Sequence, residues 1–228
     1  MINYKIISDE QNLIKFIEWL PELKPHEVYY IALLARGKYF PELANVKTDK
    51  YQLARFTCKK ENIFNKIKQL ECPLGSYMRR DLIVPQEAIA LYINLNPRDL
   101  IKANKQAIHK LVDLSLMHYN GFNPHFEVMS EVQKSIGTKH FVDIDFDTKD
   151  MSVLNDIYSF INQEACKILV TRGGFHLIVE TKKIHNEFKH TWYKNITKLN
   201  GCDIQGDALT PVPYTIQGGF IPFFKENL

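Results

Sequence analysis

The octapeptide HFVDIDFD, residues 140–147, alternates apolar and acidic side chains with a period of two, which is the period of a β-strand. Successive side chains of a strand point to opposite faces. Val142, Ile144 and Phe146 therefore share one face, and Asp143, Asp145 and Asp147 the other. Any fold of this chain must bury one side of the strand and tolerate three like charges on the other. Carboxylates so placed raise one another's pKa unless a cation lies among them. Hard oxygen donors suit Mg²⁺ or Mn²⁺, which makes Asp143 and Asp145 candidate metal ligands, with an acidic, solvated strand end as the plain alternative.

The segments after this strand alternate in type. Residues 150–163 are expected to form a helix with Asp150 as N-cap. CKILVTRGGFHLIVE, 166–180, reads as a β-hairpin turning at two glycines, a helix is expected over 185–199, and the Gly- and Pro-rich stretch from Gly201 favours short strands and turns. The order strand, helix, strand, strand, helix, strand is that of a split βαβ, ferredoxin-like or RRM-like antiparallel sheet, which also serves as the palm of many polymerases.

Upstream, the spacing predicts helices over 9–20 and 60–71 and a buried strand or short helix over 27–35. It also predicts a strand over 89–97 closed by Asn96 and Pro97, then a long helix with Pro97 in its first turn. The expected class is α+β: a mixed α/β module over 1–110 packed on a palm over 111–228, one compact unit without a flexible tether.

Charge divides the chain as the elements do. Residues 1–110 carry 18 Lys and Arg against 12 Asp and Glu, whereas 111–228 carry 11 against 14. A basic half suits a polyphosphate or nucleic-acid partner, and an acidic half suits a metal site. No apolar run approaches the roughly 18 residues that span a bilayer, and MINYKIISDEQNLIKF lacks a signal-peptide core. The expectation is a soluble, cytoplasmic protein with no membrane partner. Cys58, Cys72, Cys166 and Cys202 form no CxxC pair, which argues against a zinc knuckle or disulfide framework.

Two further stretches carry chemistry. In TRGGFH, Thr171, Arg172, Gly173 and His176 combine a bidentate cation, a ring donor and a turn whose backbone N–H groups can approach an anion. In CDIQGD, Asp203 and Asp207 are candidates for a third carboxylate, with turn-forming roles as the alternative. Converging carboxylates with anion ligands nearby are what two-metal phosphoryl transfer requires.

In this order and at this spacing, FVDIDFD, TRGGFH and CDIQGD resemble the three motifs of the archaeo-eukaryotic primase superfamily, which includes the primase-polymerases. The resemblance is strongest over 139–220. It implies a metal-dependent nucleotidyltransferase that makes or extends a primer on single-stranded DNA from nucleoside triphosphates, with a helicase or other replication protein as a further partner. Carried over by position, Asp143 and Asp145 would hold Mg²⁺ or Mn²⁺, Asp207 or Asp203 would complete the metal site, and His176, with Thr171 and Arg172, would contact the triphosphate. TPVPYTIQGG departs from the family pattern by having Gln217 and no Arg or Lys. Arg36, Lys38, Arg55, Arg79, Arg80 and Arg98 are the candidates to supply that charge. The alternatives are a catalytically silent nucleic-acid-binding module and a DxD metal-dependent glycosyltransferase.

Overall fold

The computed structural model describes residues 2–40, 50–79, 81–119, 121–203 and 207–225; Arg80 lies outside this set. In chain order the elements begin with helix α1 (Glu10–Trp19), strands β1 (Glu27–Arg36) and β2 (Lys50–Cys58), and helix α2 (Ile63–Lys68). Short strands β3 (Met78–Arg79) and β4 (Leu82–Ile83) precede β5 (Ile89–Ile93) and β6 (Arg98–Asp99), which are followed by helices α3 (Leu100–Ser115) and α4 (Pro124–Lys134). The remainder is β7 (Phe141–Phe146), α5 (Val153–Phe160), β8 (Cys166–Val170), β9 (Phe175–Glu180), α6 (Trp192–Ile196), β10 (Cys202–Asp203), β11 (Thr210–Pro211) and β12 (Phe223–Phe224). Helices and antiparallel sheets together make the chain α+β, as expected.

One sheet runs β11-β5-β1-β2, with β6 also pairing β1. All ten residues of β1 are buried, because both faces of the sheet are covered. Tyr29, Ile31 and Leu33 pack with Leu13 and Phe16 of α1 and Ile63 and Ile67 of α2. Tyr30, Ala32 and Leu34 pack with Ala103 of α3 and Val132 of α4. Two-sided burial explains why EVYYIALLA is continuously apolar instead of alternating.

The other sheet runs β10-β7-β9-β8-β12. β9 lies between β7 and β8 and β10 flanks β7, so the connectivity β7-α5-β8-β9-α6-β10 is a split βαβ arrangement. Ile144 and Phe146 face α5 and α6 along with Phe175, Leu177 and Ile168. The Phe146 and Phe175 rings stack across the strands, 4.9 Å between centroids. Each such fully buried side chain contributes roughly 1.5–3 kcal/mol.

The opposite face is divided obliquely across its strands. Phe141, Leu169 and Ile178 join the core beneath β1 and α1. Asp143, opposite Ile178, and His176, opposite Leu169, lie on the other side of the divide with Asp145. The shared core and the pairing of β11 with β5 interlock the two halves of the chain.

Several boundaries differ from the sequence expectations. The long helix begins at Leu100, capped by the Asp99 carboxylate, which accepts from Ile101 and Lys102 N–H. Pro97 lies outside it because Arg98 and Asp99 pair with β1. Asp150 is not the cap of α5: its side chain accepts from Ser152 N–H in a preceding turn. The helix expected over 185–199 contracts to α6, where Trp192 and Ile196 are buried one turn apart, and the residues before it form turns closed onto His185 and Phe188 carbonyls. Sequence periodicity did not reveal β2 or α4, the latter capped by Asn123.

The hairpin glycines have unequal duties. A Cβ on Gly174 would sit 1.9 Å from the Phe146 carbonyl oxygen and within 3 Å of Thr148 N and O, whereas one on Gly173 would meet only Asp147 Oδ1 at 4.0 Å. Gly174 thus allows the hairpin to close on the end of the acidic strand. Gly174→Ala is expected to destabilise the protein by roughly 1–3 kcal/mol or more through overpacking, and Gly173→Ala by far less, as measured by chemical denaturation. Equal effects would contradict this division.

Candidate active site

The acidic face of β7 is held by its neighbours in register. Asp145 lies opposite His176 of β9 on one side and Asp203 of β10 on the other. His176 Nδ1 is 2.9 Å from Asp143 Oδ1, and its Nε2 is 3.6 Å from Asp145 Oδ1, so one imidazole bridges two carboxylates. The Thr210 hydroxyl, carried by β11, donates to the other oxygen of Asp143.

Electrostatics follow from this packing. Burial raises the Asp145 pKa, and the negative charges of Asp147, Asp143 and Asp203 add to the effect, against the opposing pull of His176. Burial of the His176 ring works against its charged form. The charge and hydrogen bond of Asp143, with Asp145 and Asp147 beyond, outweigh that and raise its pKa above the ordinary 6.5. An imidazolium at His176, which these carboxylates favour, offsets part of their charge within the protein.

Beside this face is a polar cavity of about 200 Å³. Asp145, Asp147, Thr171, Arg172, Gly173 and His176 line it from the second sheet, and Arg36, Lys38, Tyr39 and Tyr92 from the first. Tyr39 organises the cations. Arg36, Lys38 and Arg172 lie over its ring at 5.6, 5.4 and 4.9 Å from the centroid. Arg172 also donates to the Gly218 carbonyl at 2.9 Å. Gly218 adopts φ +55°, and a Cβ there would fall 2.4 Å from the Tyr39 ring, so this site requires glycine twice over. On the cavity wall, Arg36 and Gln217 both donate to the Tyr92 hydroxyl, whose pKa burial pushes up to about 12.

Of the sequence-derived site residues, Asp143, Asp145, Thr171, Arg172, Gly173 and His176 converge. Asp203 and Asp207 separate. Asp203 pairs across from Asp145, while Asp207 is held by Arg98 and by Asn96, which donates to it at 2.8 Å. Among the candidate cations, Arg36 and Lys38 reach the cavity. Arg55 and Arg79 instead lie over the rings of Phe126 and Tyr51, and Arg98 is buried against Asp207. Arg80 lies outside the described residues. Tyr39, Tyr92 and Thr210 escaped the sequence reading; Tyr39 stands in the stretch ARGKY, where only the cations drew notice.

Among the described residues, no group of three or more His, Cys, Asp or Glu side chains is set to hold a metal ion. The donor chemistry on this face nevertheless suits a hard divalent cation: Asp143, Asp145, Asp147 and Asp203 supply carboxylate oxygens, and their charges are mutually felt at Asp145.

Because the native pKa of His176 is raised, its contribution to stability is fully present below the ordinary imidazole range and is lost as pH rises through the native value. In chelator-treated protein the His176 ring is expected to titrate by NMR above 6.5, and His176→Gln is expected to flatten the decline of thermal stability over that window. A native midpoint at or below 6.5 would refute the bridging imidazolium.

Comparison of the chain with protein-family models, with curated proteins and with solved structures gives no match.

Proposed function

We propose that the chain is a metal-dependent nucleotidyltransferase, a DNA primase or primase-polymerase that builds or extends a primer on a single-stranded DNA template. The observation that carries this reading is the cavity in which carboxylates of β7 face three cations drawn from both sheets. Arg172 offers a planar fork to phosphate oxygens, and Arg36 and Lys38 add charge where the segment after Asp207 has none. His176 lines the same cavity and holds the β7 carboxylates beside it, and Thr171 sits at the turn. Asp143 and Asp145 hold Mg²⁺ or Mn²⁺ in this reading, with Asp203 as the third carboxylate and Asp207 as a positioning residue. Bound there, the metal would lower the pKa of an attacking 3′-hydroxyl and neutralise the triphosphate. No covalent protein nucleophile is needed.

In this reading the sheet of Ile144 and Phe146 is an RRM-like palm, and the basic first half lies along the template, so that affinity falls with salt as phosphate contacts are screened. A catalytically silent nucleic-acid-binding module is the second reading. It draws on the capture of Asp207 by Arg98 and on the His176 ring standing between the two β7 carboxylates.

The test is incorporation of labelled nucleotides on a single-stranded DNA template, with and without primer, in Mg²⁺ or Mn²⁺. Wild type is expected to make product, and Asp143→Ala or Asp145→Ala to lose roughly a hundredfold or more, since a metal supplies several kcal/mol of charge stabilisation. Asp203→Asn is expected to lose activity in the same way, whereas Asp207→Asn principally destabilises the fold. Absence of synthesis by wild type, with DNA binding equal in all variants, would favour the silent module.

A further inference from the structure

Two helix pairs cover the first sheet, and each leaves an outer surface without a partner. α1 and α2 pack with Tyr29, Ile31 and Leu33 of β1, whereas α3 and α4 pack with Tyr30, Ala32 and Leu34. Side chains alternate along a strand, so the two pairs stand on opposite faces of the sheet. On the outer side of α3, Ile101, Ile108, Val112 and Leu116 are 65%, 63%, 52% and 81% exposed. Their spacing puts them on one side of the helix, away from the buried Ala103, Ala107 and Leu114. A stripe of exposed aliphatic side chains about four turns long marks an interaction surface. Its charge is positive, since α3 carries Lys102, Lys105 and Lys110 against Asp113 alone. Lys105 lies on the stripe between Ile101 and Ile108 and makes no ion pair among the described residues.

The other helix pair holds a groove of about 500 Å³. Ile14, Ile17 and Phe64 form its apolar part, and Glu18 and Glu61 stand exposed at its edge. Lys60 also lines the groove, but it is already paired with Glu22. Glu18 and Glu61 make no ion pair among the described residues, which leaves the groove net negative. That local excess of acid runs against the basic balance of residues 1–110 and turns a nucleic acid away from this groove. The stripe on α3 is equally unlike a single-strand track, because aliphatic side chains give bases no stacking platform. Each surface supplies what the other lacks. A helix with apolar anchors on one side is the shape that a groove between two helices accepts, and Lys105 brings the cation that Glu18 and Glu61 are without.

We propose that α3 of one copy of the chain docks in the α1–α2 groove of a second copy, with Ile108 and Val112 against Ile14 and Phe64 and with Lys105 beside Glu18 and Glu61. Stripe and groove stand on opposite faces of one sheet, so the contact is heterologous and does not close between two copies. Each copy added leaves one groove and one stripe free, and the copies join head to tail. The contact uses none of the residues of the cationic cavity, and it stands whether or not the chain transfers nucleotides.

The experiment is sedimentation velocity on the full chain over a concentration series. Wild type is expected to grow beyond a dimer as concentration rises. Ile108→Asp spoils the stripe and Ile14→Lys spoils the groove; each is expected to stay monomeric, and because both side chains are exposed, each is expected to keep the wild-type circular dichroism spectrum. Lys105→Glu is expected to weaken association roughly tenfold or more by setting like charges together, and Glu18→Lys with Glu61→Lys in the same chain to restore it. An equimolar mixture of Ile108→Asp, which keeps its groove, and Ile14→Lys, which keeps its stripe, is expected to form a dimer that grows no further. A wild type that stays monomeric at millimolar concentration overturns the proposal, and binding to anionic vesicles that Ile108→Asp abolishes then assigns the stripe to a lipid surface. A wild-type dimer that Ile108→Asp abolishes and Ile14→Lys leaves intact overturns it in favour of a contact between two α3 helices.

Discussion

The position of the acidic strand depends on a buried polar ladder formed by Asn94, Asn96 and Arg98, which are 1%, 3% and 1% exposed. Each reaches out of the first half of the chain into the second. Asn94 donates to the Asp207 and Ala208 carbonyls. The Asn96 side chain accepts from His140 and Phe141 N–H at 2.8 and 2.9 Å and donates to the Phe141 carbonyl and to Asp207. Arg98 closes the ladder on the other Asp207 oxygen. Burial works against the charge of Arg98, and Asp207 offsets it. Removing one partner of such a pair costs about 3–5 kcal/mol, because the other is left charged and buried. The ladder therefore fixes where β7 starts, and with it which residues the strand presents to the first sheet.

That placement sets the electrostatics. The face of β7 that carries the aspartates is the one turned toward the first half, and its apolar end, Phe141 with Leu169 and Ile178, is consumed by the shared core. The charged end cannot be buried in the same way, so the fold gathers compensating groups around it. His176 bridges two carboxylates, Thr210 satisfies one oxygen, and Arg36, Lys38 and Arg172 assemble on Tyr39 across a narrow gap. Opposed charges on facing walls of one cavity are thus arranged by the fold before any ligand enters.

The strand and its two faces were legible in the sequence because a period of two admits one reading, and the hairpin because two glycines between apolar runs punctuate it. β1 was legible only as a strand or short helix, since two-sided burial erases alternation. Arg98 was read as a candidate to supply charge to the site, and its burial was illegible for a related reason: a charged side chain in sequence carries no mark of whether its partner, here 109 residues away, lies in water or in the core. Asp203 and Asp207 could not be told apart within CDIQGD, as strand register decides between them and four residues of spacing do not specify register. Tyr39 was invisible because its role arises from three cations brought together by tertiary structure.

Asp143 stands where the ladder hands over to the site: Asn96 holds Phe141, two residues before it, while His176 and Thr210 take its two carboxylate oxygens. The ladder residues that align β7 thus act on the acidic face only through geometry: Asp207 is turned toward Arg98 and Asn96, and it holds in place the side chain that receives the first N–H groups of the strand.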